Sequence, residues 1–188
     1  MSRRDRRGAR PSQVVVDGVA WPVQGAQAAI VDGSRVLLQL RPFPPGWELP
    51  GGHVERHEDP VDTAMREALE ETGYQVAIRG IVGVYSWSGL RNAADAVFLA
   101  EVVGGRRRRS IEALHATFVT ADRIPRTAFP WCRQRVYDAL ARSEGAPPVH
   151  RVQPITFRHV MTFGTSWLSA PLDHLRHVGA AGPRDDRD

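Results

Sequence analysis

One short helix with hard boundaries and an excess of carboxylates constrains this chain more than any other feature. Asp59-Pro60 is a strong helix start, an acceptor side chain at the cap followed by Pro at the first helical position. Gly73 supplies the stop. At about 100° per residue, Glu67, Glu70 and Glu71 fall within an arc of roughly 100°. Val61, Met65, Ala68, Leu69 and Thr72 cluster on the opposite side. The pattern predicts a helix with one face in a core and three carboxylates displayed together on the other. Nothing in fold stability asks for three anions at i, i+3 and i+4. A bare E-x-x-E-E fits a solvated acidic face. It also fits a hard divalent cation such as Mg²⁺, which prefers carboxylate oxygens and keeps water and substrate phosphate as its remaining ligands. Arg66, about 40° round the helix from Glu70, would then orient a carboxylate from behind.

The charge distribution favours the cation. The chain carries 25 Lys+Arg, every one an Arg, against 21 acids. Five of those arginines fall in the first ten residues, and Arg106–Arg109 form a second basic run. Between Glu48 and Glu71, by contrast, stand eight acids and two arginines. A basic chain with one concentrated acidic segment points to a cation site there. At 188 residues, with 42% hydrophobic residues, the length suits one core plus terminal extensions. Residues 1–20 read as a flexible basic arm, 21–145 as the domain and 146–188 as an extension. The extension carries an amphipathic face at Phe157, Val160, Met161, Gly164, Trp167 and Leu168, which would pack on the domain or form a homodimer contact. No stretch is apolar enough for a membrane span, and no secretory signal is present, so a cytoplasmic protein is expected. The single Cys132 reads as a buried structural thiol.

Around the helix, Ala26–Val31, Asp32-Gly33-Ser34 and Val36–Leu40 read as a hairpin. Arg41–Gly46 reads as a loop, and Trp47–Gly52 as a short strand entering a Gly-Gly turn. Strands are expected at 75–86, 94–103 and 115–120, and a second helix at 130–142.

Written out, Gly52-x5-Glu58-x7-Arg66-Glu67-Ala68-Leu69-Glu70-Glu71-Thr72-Gly73-Tyr74 resembles the Nudix box of the Nudix hydrolases, and the preceding WELPGG is similar to that family too. The resemblance spans about residues 24–142. It implies an α+β fold, a mixed β-sheet sandwiched between α-helices (an α/β/α sandwich). It implies an enzyme that hydrolyses a nucleoside diphosphate linked to another moiety, a pyrophosphatase in which water attacks phosphorus with Mg²⁺ or Mn²⁺ as cofactor. Carried over by position, Glu70 and Glu71 would be the principal metal ligands and Glu67 a further ligand or an orienter. Gly51 and Gly52 would bring backbone close to metal and substrate, with Gly52 among the ligands. Glu58 and Arg66 would pair, pinning loop to helix. His57 stands where Gly is frequent, and His tolerates left-handed backbone better than most residues.

One more acid from beyond the box is expected as ligand or general base, with Glu112 the first candidate and Asp95 and Glu101 its rivals. Arg41, at a strand end facing the glycines, is a candidate for holding a substrate phosphate, as is Arg66; a surface Arg is an equally good reading of Arg41. Trp47, Trp87 and Phe129 read as core before base-stacking groups. The signatures of ADP-ribose, coenzyme A and NADH enzymes are absent, which favours a nucleoside triphosphate, a deoxynucleoside triphosphate or a nucleotide-sugar. The alternatives are a catalytically silent nucleotide sensor, which the full Glu67/Glu70/Glu71 set argues against, and a hydrolase acting on RNA 5′ ends through the Arg runs. Nucleic acid is the weaker partner.

Overall fold

The alternation of β3 (Gly25–Asp32) sends its side chains to two different cores. Ala26, Ala28 and Ile30 join one buried cluster, and Ala29 joins the other. Strand β4 (Arg35–Pro42) divides in the same way, with Leu37 on one side and Val36, Leu38 and Leu40 on the other. A strand apolar on both faces must be covered on both. Helix α1 (Pro60–Thr72) covers the first face through Ala64 and Ala68, and α2 (Pro130–Ser143) covers the second through Cys132, Val136 and Ala139. The result is a mixed sheet between two helices, as expected. The computed structural model describes residues 12–89, 93–107 and 113–155.

The remaining strands are β1 (Gln13–Val16), β2 (Val19–Pro22), β5 (Pro45–Glu48), β6 (Gly51–His53), β7 (Tyr74–Gly89), β8 (Ala94–Gly105), β9 (His115–Thr120) and β10 (Val149–Ile155). The main sheet runs β10-β7-β8-β3-β4-β5, with β6 on β3 and β9 on β4. The β3–β4 hairpin pairs only at its turn, Val31 with Val36 and Asp32 with Arg35, and then splits. Chain segment 45–53 bridges the split. It leaves β4 at Gln39↔Glu48 and joins β3 at Gln27↔Gly51, and between them Ala28 N–H donates to Pro50 O at 2.9 Å. This crossing delivers Glu48, Gly51 and Gly52 to one place.

Helix α1 begins and ends where its sequence says. Asp59 accepts from Val61 N–H at 2.8 Å, and Gly73, at φ 81°, donates its N–H to Leu69 O at 2.9 Å.

Several sequence expectations need correction. Residues 13–20, assigned to the arm, belong to the β1–β2 hairpin that turns at Asp17-Gly18 and pairs Gln13 with Pro22, and Val14 and Val16 are buried in the α1-side core. Residues 149–155, assigned to the extension, are a sheet strand, β10 pairing parallel with β7 from Val149↔Gly83 onward. The domain therefore extends past 145. Arg41–Gly46 is not a loop but the closed end of the β4–β5 hairpin, with Pro42 opposite Pro45; β5 is an edge strand, where Pro costs no ladder bond. Gly51-Gly52 is strand, not turn. Residues 1–11 and Phe157–Leu168 lie outside the described residues. Among the described residues no helix is long and apolar enough to cross a membrane.

Candidate active site

The buried stripe of α1 is Pro60, Thr63, Ala64, Glu67, Ala68, Glu71 and Thr72. That is the i, i+3, i+4, i+7 spacing of an amphipathic helix, with two glutamates in positions that usually hold apolar residues. The expectation that all three carboxylates face outward is therefore wrong for two of them. Glu67 and Glu71 are buried, Glu70 has a 54% exposed side chain, and Leu69, expected in the core, is 41% exposed. The acids turn inward because the split between β3 and β4 gives them polar surroundings.

Glu71 Oε2 accepts the Gly51 N–H at 2.8 Å and the buried Gln39 amide Nε2 at 2.5 Å. Burial pushes its carboxyl up to about 8, opposed by the Gly51 N–H and reinforced by the charges of Glu48 and Glu67. Glu48, one strand away, is raised by burial too, and Arg41 counters this through a 2.9 Å ion pair. Glu67 Oε1 accepts from Arg66 Nη1 at 2.8 Å, and the same nitrogen reaches Glu70 Oε2 at 3.2 Å. Arg66 also grips Glu58 with Nε at 2.8 Å and Nη2 at 3.1 Å, and this fork holds the Glu58 carboxyl down at about 2. Arg66 is thus engaged with three glutamates, which places it as their organiser; the Glu58 pair ties the loop to the helix.

Backbone contact requires Gly51, and Gly52 lets the Glu67 carboxylate lie against the main chain. A Cβ on Gly52 would lie 2.6 Å from Glu67 Cδ. A Cβ on Gly51, at φ 154°, would lie 2.6 Å from Gln27 Cα. Gly51→Ala is expected to cost about 2–4 kcal/mol and to unseat the N–H that serves Glu71. A melting temperature equal to wild type would contradict this. His57 does adopt left-handed backbone, at φ 70°, with an exposed side chain. His57→Gly is expected to raise stability by ~0.5–1 kcal/mol, about 2–4 °C in melting temperature; an unchanged or lower value would show that the position carries no strain.

The donor set suits a hard cation. Among the described residues, Glu71 has other acids nearby and is served by neutral donors alone, and the Gln39 Oε1 beside it is buried without a hydrogen-bond partner. Among the described residues no three acids or imidazoles already stand as a closed cluster, and Arg66 Nη1 spans Glu67 and Glu70. Ligation would draw these carboxylates away from Arg66. A cleft of about 300 Å³ lies in front of them, lined by Arg41, Phe43, Gly51, Gly52, Glu67 and Glu71. Arg41 therefore does face the glycines.

Of the other candidates, Asp95 lines an adjoining space of about 140 Å³, together with Arg41, Glu48, Gly52 and His53. Glu101 lies apart, ion-paired with Arg79 on the surface. Glu112 lies outside the described residues, as do Arg108 and Arg109. Trp47, Trp87 and Phe129 are buried, and so is Cys132, whose thiol burial pushes up to about 12. Sequence reasoning missed Gln39, the paired Glu48 and Arg135. Arg135 is 1% exposed on α2 and reaches Gln27 Oε1 at 2.7 Å, Gln153 Oε1 at 2.9 Å and Asp95 Oδ2 at 3.0 Å. The signal was its place in the buried stripe 132/135/136/139.

Comparison with known proteins gives the same answer as the geometry. The NUDIX domain model matches residues 22–140. The chain is 32% identical over 117 residues to a protein of Bacillus subtilis provisionally named an 8-oxo-dGTP diphosphatase, covering 61% of this chain and 78% of that one. It is 31% identical over 114 residues to an ADP-ribose pyrophosphatase of Methanocaldococcus jannaschii, covering 57% and 68%. Its fold matches a NUDIX hydrolase from Nitrosomonas europaea with a TM-score of 0.62 at 22% identity, over 80% of this chain and 97% of that one. The chain belongs to the NUDIX domain family and is a hydrolase of the pyrophosphatase kind.

Proposed function

We propose that the protein hydrolyses a small nucleotide, a nucleoside or deoxynucleoside triphosphate or a nucleotide-sugar, with a divalent cation, Mg²⁺ or Mn²⁺, held by Glu67, Glu70, Glu71 and the Gly52 carbonyl. One observation carries the reading: two buried glutamates of α1 meet the Gly51-Gly52 backbone in a cleft, and among the described residues no cation pairs with Glu71. Relatives named for 8-oxo-dGTP and for ADP-ribose support a nucleotide diphosphate linkage as the scissile group. The absence of the ADP-ribose signature leans toward the first.

The chain's own residues do the following. Arg41 stands at the cleft mouth with its guanidinium half-exposed, where it can take a phosphate oxygen while Glu48 fixes its position. Gly51 and Gly52 let the substrate approach backbone that any side chain would cover. Arg66 holds Glu67 and Glu70 in place through Glu58. When bound, the cation would neutralise phosphate oxygens and lower the pKa of the attacking water. The general base is assigned to Glu112, with Asp95 the alternative within the described cleft.

Hydrolysis of a nucleotide panel with Mg²⁺ or Mn²⁺, wild type beside Glu70→Gln, tests this. Glu70 is exposed and, among the described residues, bonded to Arg66 alone, so its isosteric change leaves the fold intact. Activity on a triphosphate or nucleotide-sugar, lost by at least about 100-fold in the variant, is the expected outcome. A folded protein that binds nucleotides but hydrolyses none would replace the reading with the sensor.

A further inference from the structure

Strand β4 carries one polar side chain deep inside its apolar run. Gln39 stands between Leu38 and Leu40 with 0% exposure. Its backbone is paired on both sides, opposite Glu48 of β5 and Ala116 of β9, so the side chain starts from a rigid base. By alternation it shares a strand face with Leu37, a residue of the α1-side core, and with Arg41, which lines the cleft. Core, amide and cleft follow one another along a single row.

The amide is half satisfied. Its Nε2 donates to Glu71 Oε2 at 2.5 Å, while its Oε1 is buried without a hydrogen-bond partner among the described residues. A buried acceptor left unpaired costs stability, and a leucine at this position would avoid the cost. Stability therefore does not explain a glutamine here. Among the described residues, the hydrogen bond that its side chain makes is the one to Glu71.

The carboxylate it touches is divided in the same way. The Gly51 N–H and the Gln39 amide both donate to Glu71 Oε2, and among the described residues no donor reaches Oε1. Two donors on one oxygen hold the carboxylate in a fixed orientation at the cleft that Glu71 lines. The clamp is also neutral. Arg66 holds Glu67 and Glu70 through charge, which a cation must displace. An amide and a peptide N–H orient Glu71 and leave its charge uncancelled.

We propose that Gln39 is a positioning residue, which with Gly51 fixes Glu71 Oε2 and so presents Oε1 to the divalent cation. The proposal rests on the reading of the acidic strip as a cation site. It goes beyond that reading by giving a strand residue outside the box control over how one of its carboxylates is presented. What position 39 supplies is then reach, not polarity.

Mn²⁺ binding to the full chain, without substrate, is measured by electron paramagnetic resonance at a temperature where circular dichroism shows each variant folded. Wild type is expected to bind Mn²⁺ saturably. Gln39→Leu and Gln39→Asn, the second polar but a methylene shorter, should each weaken that binding by at least about tenfold. The Mn²⁺ concentration giving half-maximal hydrolysis should rise by the same factor. Metal-free Gln39→Leu should melt no lower than wild type, because the unpaired oxygen is gone. If it fails to fold, Gln39→Met, apolar and close to glutamine in length, takes its place. Unchanged Mn²⁺ binding in the folded variants would overturn the proposal and leave the cation site standing. Affinity lost only in step with melting temperature, in Gln39→Leu and Gln39→Met alike, would make the amide a packing group and overturn it too. No Mn²⁺ binding by wild type would remove the cation reading, and the proposal with it.

Discussion

Glu71→Gln is expected to abolish hydrolysis while making the metal-free protein more stable at alkaline pH. The carboxyl is buried and held at about 8, far above its ordinary 4.5. The folded state therefore binds its proton more tightly than the unfolded chain. Stability from this group is fully present below about pH 4.5 and is lost as pH rises through 8. The size of that loss has an upper bound of roughly 5 kcal/mol, reduced by whatever the neighbouring glutamates share. Glutamine keeps an oxygen for the Gly51 N–H and has nothing to titrate. Its melting temperature without metal should fall less than that of wild type between pH 5 and 9, the remaining slope coming from groups such as the buried Glu48. Adding Mn²⁺ or Mg²⁺ at pH 8 should raise the wild-type value and leave that of the variant in place. Parallel pH curves for the two proteins would show that Glu71 is not the strained group. A variant that keeps activity would show that it is not a ligand.

Arg135→Ala should produce the largest loss of stability. The guanidinium lies between the rings of Tyr85 and Trp87, 4.8 and 4.9 Å from their centroids, and ties α2 to β3, β8 and β10 through Gln27, Asp95 and Gln153. Removing it leaves Asp95 with the Trp87 indole N–H at 2.8 Å as its remaining side-chain donor among the described residues, and two buried amide oxygens without their donor. Breaking a buried pair in this way costs about 3–5 kcal/mol, near 10 °C in melting temperature for a chain of this size. Chemical denaturation reads it directly. A loss below about 1 kcal/mol would mean that the network relaxes and that β10 is held by its ladder alone.

What the sequence made legible was local. Asp59-Pro60 and Gly73 state the limits of α1, because caps are decided within a few residues. The glycines and carboxylates of the box stand at spacings that specify one family. The direction in which Glu67 and Glu71 point was not legible. Helical periodicity placed Val61 and Met65 against the core, where they pack, but also Leu69, which is exposed, because it weighs hydrophobicity alone. It cannot register that the split between β3 and β4, filled by Gln39, Glu48 and Gly51, gives a carboxylate partners in the interior. The small residues Ala64, Ala68 and Thr72 on the same stripe were the available clue. Val-Val-Val-Asp-Gly-Val carried a hairpin signal at residues 14–19, obscured by the Arg-rich stretch before it. The pairing of β10 had no local signal, since a parallel partner sixty-six residues away, Val149 with Gly83, leaves no turn to read. Arg135 was legible as a position and unreadable as a partner, because its acceptors come from three separate strands.

The proposed chemistry needs the acidic strip to act through a divalent cation. The most direct test is the initial rate of hydrolysis of one responding nucleotide against Mg²⁺ or Mn²⁺ concentration, for wild type and Glu71→Gln side by side. A saturable metal dependence, extinguished by a chelator, is expected for wild type, and no rate above background for the variant at any metal concentration. Hydrolysis that persists undiminished in chelator, or a variant that matches wild type, would contradict it.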